Sequence, residues 1–171
     1  MNISIVGLGY VGLPAAIAFH DAGFKVTGID ISEKTISFLK LGKIPIDDPS
    51  FTTPIPINSD RWVVTNEYRD IMKSEVIIIT VPTPVNSHDL PDLSYIKAAV
   101  NSIFANITDD IAPIIVLEST VFPGVSRDIF SSLSLDHNLK LGIDFHFGYS
   151  PERINPGVLE NRIENTVRII G

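Results

Sequence analysis

A chain of 171 residues, 44% hydrophobic and 19% charged, has the composition of one globular domain and not of a disordered segment. Its net charge of -7, with no basic run, argues against a nucleic-acid partner, and no apolar stretch approaches the ~20 residues of a membrane helix. The absence of cysteine removes disulfides, thiolate metal sites and a cysteine nucleophile, and is compatible with a cytoplasmic setting; the first apolar run is broken at once by glycines and does not read as a secretory leader.

The first elements carry the strongest signal. Ile3-Ser4-Ile5-Val6 reads as a buried strand, followed by Gly7-Leu8-Gly9-Tyr10-Val11-Gly12, a G-x-G-x-x-G turn. Gly7 permits the sharp turn, Gly9 lets a pyrophosphate approach the backbone, and Gly12 lets the next helix pack closely on the sheet. The free amides and positive dipole end of that helix then face the phosphates. The helix is expected over Val11–Ala22, with Pro14 tolerated in its first turn and Gly23 as its stop. A second strand, Phe24–Asp30, ends in a carboxylate close to the ~20-residue spacing of a ribose-binding acid. Asp30 there accepts hydrogen bonds from ribose hydroxyls and repels a 2′-phosphate, which selects NAD over NADP. A tight turn followed by a surface aspartate is the plainer alternative.

Ser32 is placed to cap a second helix with an apolar side of Ile36, Phe38, Leu39 and Leu41, stopped by Gly42. Lys43–Asp60, with Pro45, Pro49, Pro54 and Pro56, is an extended loop, long for a compact domain, that either carries function or is partly mobile. Trp62–Thr65 reads as a strand, Glu67–Met72 as a short helix, and Glu75–Val81 as a central parallel strand covered on both faces. The last ends in Pro82-Thr83-Pro84. Asp92 or Ser94 caps a helix through Ile107, with Ile96, Val100, Ile103 and Ile107 as its buried face. Pro113–Leu117 is a further buried strand ending in Glu118-Ser119-Thr120, and Pro123-Gly124 opens a helix to Leu133. Asp144–Tyr149 and Thr166–Ile170 complete the strands. The alternation predicts a Rossmann-type, doubly wound α/β domain over residues 1–171: a mostly parallel sheet with helices on both faces, its ligand at the carboxyl ends of the strands. The four histidines are scattered and lack metal-ligand spacing; Trp62 and Phe51 read as core.

Several loops together resemble one family, the nucleotide-sugar 6-dehydrogenases (the UDP-glucose/GDP-mannose dehydrogenase family). They are Gly7-Leu8-Gly9-Tyr10-Val11-Gly12-Leu13-Pro14, Val81-Pro82-Thr83-Pro84, Pro91-Asp92-Leu93-Ser94, Glu118-Ser119-Thr120-Val121, Pro123-Gly124 and Gly148-Tyr149-Ser150-Pro151-Glu152-Arg153-Ile154-Asn155-Pro156-Gly157. The last is the most specific, and the whole is most similar to the branch acting on UDP-N-acetylhexosamines. The resemblance implies oxidation of a sugar C6 alcohol to the carboxylate with reduction of two NAD. It implies that Tyr10 and Val11 line the dinucleotide, that Asp30 holds the adenosine ribose, and that Thr83 and Thr120 contact the cofactor, Thr120 also lying near the reacting carbon. It further implies that Glu152 positions or activates water and that Arg153 and Ile154 touch the UDP-sugar.

The chain departs from the family pattern in two respects. Many members carry a basic residue where this chain has Thr35. The family's nucleophilic cysteine, with its lysine and asparagine partners, belongs to later segments that have no counterpart in these residues. The chain therefore resembles the N-terminal part of a longer enzyme, expected to be a homodimer or larger, and is expected to bind NAD without turnover by itself. A dinucleotide-binding or regulatory module without chemistry, and another two-domain dehydrogenase, are the competing readings.

Overall fold

The computed structural model describes residues 1–47, 51–108, 110–151 and 169–171. Eleven elements follow one another, all but one of them a full strand or helix: β1 (Asn2–Val6), α1 (Gly12–Asp21), β2 (Lys25–Ile29), α2 (Glu33–Lys40), β3 (Trp62–Thr65), a short 3-10 helix (Tyr68–Ile71), β4 (Val76–Ile79), α3 (Ser94–Phe104), β5 (Ile114–Leu117), α4 (Val125–Asp136) and β6 (His146–Tyr149). The strands form one sheet in the order β3-β2-β1-β4-β5-β6, and every pairing is parallel. The order reverses between β1 and β4, which is where a doubly wound sheet opens a crevice at its carboxyl edge.

Alternation along the strands sends side chains to two cores. Ile3 and Ile5 of β1, Val26, Val64 and Ile78 meet Leu13, Ala16 and Ile17 of α1 and Ile36 and Leu39 of α2. Val6, Ile77, Ile79, Ile115 and Leu117 meet Ile96, Ala99, Val100 and Ile103 of α3 and Val125, Ile129 and Phe130 of α4. Helices therefore cover both faces, which is why β4 and β5 read as unbroken apolar runs. Each Val, Leu, Ile or Phe among these core side chains contributes ~1.5–3 kcal/mol on burial. Phe104, Phe130, Phe145 and Phe147 tie α3, α4 and β6 together, with ring centroids 4.8 Å apart for Phe104–Phe145 and 4.2 Å for Phe130–Phe147.

Local chemistry explains the element boundaries. Ser32 caps α2 as predicted, its Oγ accepting the Thr35 amide at 3.2 Å. At α3 the capping expectation needs correction. The N-cap is Leu93, which makes no side-chain cap bond; Asp92 instead accepts the Ser94 amide at 2.9 Å, one residue too early to cap. A hydrogen bond from the Ser94 side chain first, and that backbone bond second, hold the Asp92 carboxyl below its usual pKa. Helix α3 also ends at Phe104, not Ile107, because Asn106 turns back: its Nδ2 donates to Ser102 O at 2.9 Å and its amide to Ile103 O. Helix α4 runs on past Leu133 to Asp136. The expected last strand, Thr166–Ile170, falls largely outside the described residues; Ile169 and Ile170 are not in a strand, while Gly171 exchanges two backbone hydrogen bonds with Tyr149.

The described residues of the proline-rich segment are irregular and anchored. Ile55 is buried, and Ile44, Ile46 and Phe51 pack against the α1/α2 core. His20 Nε2 meets Ser59 Oγ at 2.8 Å, and Arg61 donates to His20 O at 2.9 Å, so the end of the segment is pinned to the last turn of α1. Trp62 is a core residue, as expected, packed edge-on against His20.

Candidate functional site

Strand register places the site. Val6 pairs with Ile29 and with Ile79, Ile79 with Leu117, and Leu117 with Tyr149. The next residues, Asp30, Gly7, Thr80, Glu118 and Ser150, therefore form one row along the carboxyl edge. The glycine turn leaves β1 in the middle of that row. Gly7 has φ +96°, a conformation glycine adopts without steric cost, and its amide donates to Ile29 O at 2.8 Å. Thr80 braces the turn from β4: its hydroxyl donates to Gly7 O at 2.7 Å and lies 3.1 Å from Val6 O. A Cβ on Gly12 would overlap Gly7 O and Thr80 Oγ1, so α1 can start only with glycine there. Gly9 differs, since nothing lies within 4 Å of where its Cβ would be. Packing does not require that glycine. Helix α1 starts without a side-chain cap, and the amides of Tyr10 and Val11 have no acceptor among the described residues. These are the donors a diphosphate takes.

Thr80→Val tests the brace. It removes the hydroxyl while keeping shape, and is expected to cost about 1 kcal/mol of stability in a urea melt and to weaken NAD severalfold in calorimetry, with Thr80→Ser retaining both.

Asp30 is fixed by its backbone surroundings. Oδ2 accepts the Leu8 amide at 2.8 Å and Oδ1 the Ser32 amide at 2.9 Å. Each carboxylate oxygen keeps acceptor capacity, so the group can receive two vicinal hydroxyls as a pair. Tyr68 stands nearby. Burial first, and the charge of Asp30 second, push its phenol up to about 12, so it remains a neutral donor.

Asp30 and the turn open onto a cavity of about 580 Å³. Of the residues predicted for the site, Gly7, Gly9, Tyr10, Val11, Asp30, Thr83 and Thr120 line it. Gly12 is buried behind the turn and shapes it without facing the space. Glu152, Arg153 and Ile154 lie outside the described residues. The wall opposite the turn comes from Tyr95, Ala98, Ala99 and Ser102 on α3. Tyr10 is half exposed, and its hydroxyl donates to Asp47 O at 3.2 Å, which links the glycine turn to the proline-rich segment.

Besides the α3 wall, four polar lining residues escaped the sequence reading: Tyr68, Thr80, Glu118 and Ser119. Glu118, given no catalytic role above, is a buried wall residue at 4% exposure. Ser119 Oγ donates to Val81 O at 2.6 Å and so binds the end of β5 to the Thr83 loop. Three of the four stand at or just past the end of an apolar strand, a signal usable once the strand order is known. Tyr68 has no such signal.

The cavity is a mostly apolar slot with few polar groups, in the order carboxylate, glycine turn, hydroxyls. From β2 to β5 it spans three strand spacings, about 14 Å. A dinucleotide fits this arrangement: ribose hydroxyls on Asp30, diphosphate at the turn and the uncapped start of α1, and the second nucleoside toward Thr83 and Thr120.

Comparison with known proteins agrees. Residues 1–171 match the UDP-glucose/GDP-mannose dehydrogenase family, NAD binding domain. The chain is 39% identical over 170 residues to Protein CapL of Staphylococcus aureus, covering 99% of this chain and 39% of that one. It is 35% identical over 173 residues to the UDP-N-acetyl-D-mannosamine dehydrogenase of Pyrococcus horikoshii, covering 100% and 41%. A solved GDP-mannose dehydrogenase of Pseudomonas aeruginosa superposes with a TM-score of 0.90 at 30% identity, covering 100% of this chain and 41% of that one. The chain thus spans about two fifths of the length of these relatives. With an all-parallel sheet in this order, a glycine turn held against Asp30, and a match over its whole length, the chain belongs to the UDP-glucose/GDP-mannose dehydrogenase family, of which it is the NAD binding domain.

Proposed function

We propose that this domain serves a nucleotide-sugar 6-dehydrogenase that oxidises the C6 alcohol of a UDP-sugar, a UDP-N-acetylhexosamine, to the carboxylate with two NAD, for surface polysaccharide or glycan precursors. The observation that carries the reading is that Asp30, the glycine turn, Thr83 and Thr120 open onto one cavity. Relatives named as UDP-N-acetyl-D-mannosamine and UDP-N-acetyl-D-glucosamine dehydrogenases support the sugar class.

Bound NAD supplies the hydride acceptor. Asp30 holds the adenosine ribose in a fixed orientation, and the amides at the start of α1 hold the diphosphate. Thr120, exposed at the cavity wall, can orient an alcohol or a water without adding charge. Ala98, Ala99 and Val81 give the cavity an apolar wall, of which Ala99 is buried. By family resemblance Glu152 activates water in the hydrolytic half-reaction, Arg153 pairs with substrate phosphate or sugar oxygens, and Ile154 packs beside them. The covalent steps need a cysteine, which these residues do not contain. The domain is accordingly the cofactor half of the site, and in the complete enzyme it works within a dimer or larger assembly.

The test measures NADH formation with a panel of UDP-sugars, using the complete open reading frame and residues 1–171 side by side. The expected result is turnover of a UDP-N-acetylhexosamine by the complete protein, and NAD binding without turnover by residues 1–171. Turnover by the short chain, or none by the complete protein with any UDP-sugar, refutes the reading.

A further inference from the structure

Tyr68 is a cavity-lining hydroxyl that the preceding assignments leave without a task. It sits in the 3-10 helix between β3 and β4, outside every motif that points to dinucleotide binding. Its ring packs against the core under α3, while part of the residue faces the cavity on the same side as Asp30 and Ile31. The hydroxyl makes no hydrogen bond among the described residues. Asp30 is not its partner, since that carboxylate is turned onto the Leu8 and Ser32 amides. A half-buried neutral donor with no acceptor among the described residues is completed by an acceptor from a ligand or from water.

The geometry limits what that acceptor is. With the ribose on Asp30 and the diphosphate at the glycine turn, the base attached to that ribose has one place to go. This is the apolar end of the cavity bounded by Ile29, Ile31, Tyr68, Ala98 and Ser102. A flat purine fills such a slot, and its polar features there are ring nitrogens that accept hydrogen bonds. We infer that Tyr68 is the base-reading residue of the cofactor site: its hydroxyl donates to a ring nitrogen of the adenine, while Asp30 reads the ribose. The inference rests on the NAD reading above and adds to it a determinant for the base, a part of the dinucleotide that the glycine turn and Asp30 do not reach.

Calorimetric titration with AMP, ADP-ribose and nicotinamide mononucleotide, for the native protein and Tyr68→Phe, tests this without catalysis. Tyr68→Phe is expected to weaken AMP and ADP-ribose roughly five- to tenfold, as loss of one hydrogen bond does, and to leave nicotinamide mononucleotide and the melting temperature unchanged. The 1-, 3- and 7-deaza analogues of AMP, each lacking one ring nitrogen, identify the acceptor in the native protein with no substitution at all. One of them is expected to lose the same factor in the native protein and to bind both forms equally. Equal affinity of the two forms for AMP, or a loss on Tyr68→Phe that is the same for all three analogues, overturns the inference while leaving the NAD reading intact. Absence of any binding of ADP-ribose or NAD to the native protein overturns both.

Discussion

Gly12→Ala is expected to destabilise the domain by about 3 kcal/mol and to lower the melting temperature by roughly 6–12 °C, with NAD binding lost in proportion to the disordered turn. The added carbon would collide with Gly7 O and Thr80 Oγ1 at once. Neither can yield cheaply. Gly7 is held by its φ of +96° and by its bond to Ile29 O, and Thr80 is committed to the Val6 and Gly7 carbonyls. Relief requires α1 to move off the sheet, which opens the core at Leu13, Ala16 and Ile17. Gly9→Ala is the control, three residues away on the same turn. Its Cβ meets nothing, so stability is expected to change by less than about 0.5 kcal/mol, while NAD weakens about tenfold or more because the methyl occupies the diphosphate's approach. Thermal melts and calorimetry on the two variants separate a glycine kept for folding from a glycine kept for the ligand. If Gly9→Ala binds NAD as the native protein does, the diphosphate does not lie where this site puts it.

Removing the Asp30 carboxylate carries the second large effect. Asp30→Ala is expected to weaken NAD by roughly 100-fold, the cost of two charge-assisted hydrogen bonds to the ribose, and to narrow the preference for NAD over NADP about tenfold or more. The preference narrows because the repulsion of a 2′-phosphate goes with the charge. Some stability goes too, about 1–2 kcal/mol, since the Leu8 and Ser32 amides lose their acceptor. Asp30→Asn separates the two roles. One oxygen remains to accept, the other position becomes a donor facing an amide, and an intermediate loss is expected. Parallel titration of the three forms with NAD and NADP checks the ordering; an Asp30→Ala protein that keeps its NAD affinity would show that the ribose is held elsewhere.

What the residue pattern reveals here is what local rules govern. Gly7 and Gly12 answer to backbone angle and close packing, Ser32 to an unpaired amide, and β4 to burial on both faces. Each can be read within a few residues of itself. Thr80 cannot, because its partners Val6 and Gly7 belong to a strand far away in sequence that becomes its neighbour only in the β1–β4 pairing. Glu118 and Ser119 join the wall for the same reason. Tyr68 is harder still: it stands in a short 3-10 helix with no periodicity, and its importance comes from where that helix lands beneath α3. The early end of α3 was hidden by one side chain, Asn106, whose amide competes for the last turn although the apolar spacing continues to Ile107.

The row of strand ends also governs when the protein can hold its ligand. Asp30, Gly7, Thr80 and Glu118 come from four stretches of chain brought side by side only when β2, β1, β4 and β5 are all paired. During synthesis the full row of strand ends exists only once the chain has passed Leu117 and the crossover from β4 has closed. Opening any one of the inner strands later breaks up that row. Saturation with NAD at about 100 times its dissociation constant should therefore protect the slowest-exchanging amides of all four inner strands together, by up to about 2.7 kcal/mol, and not merely those beside the glycines.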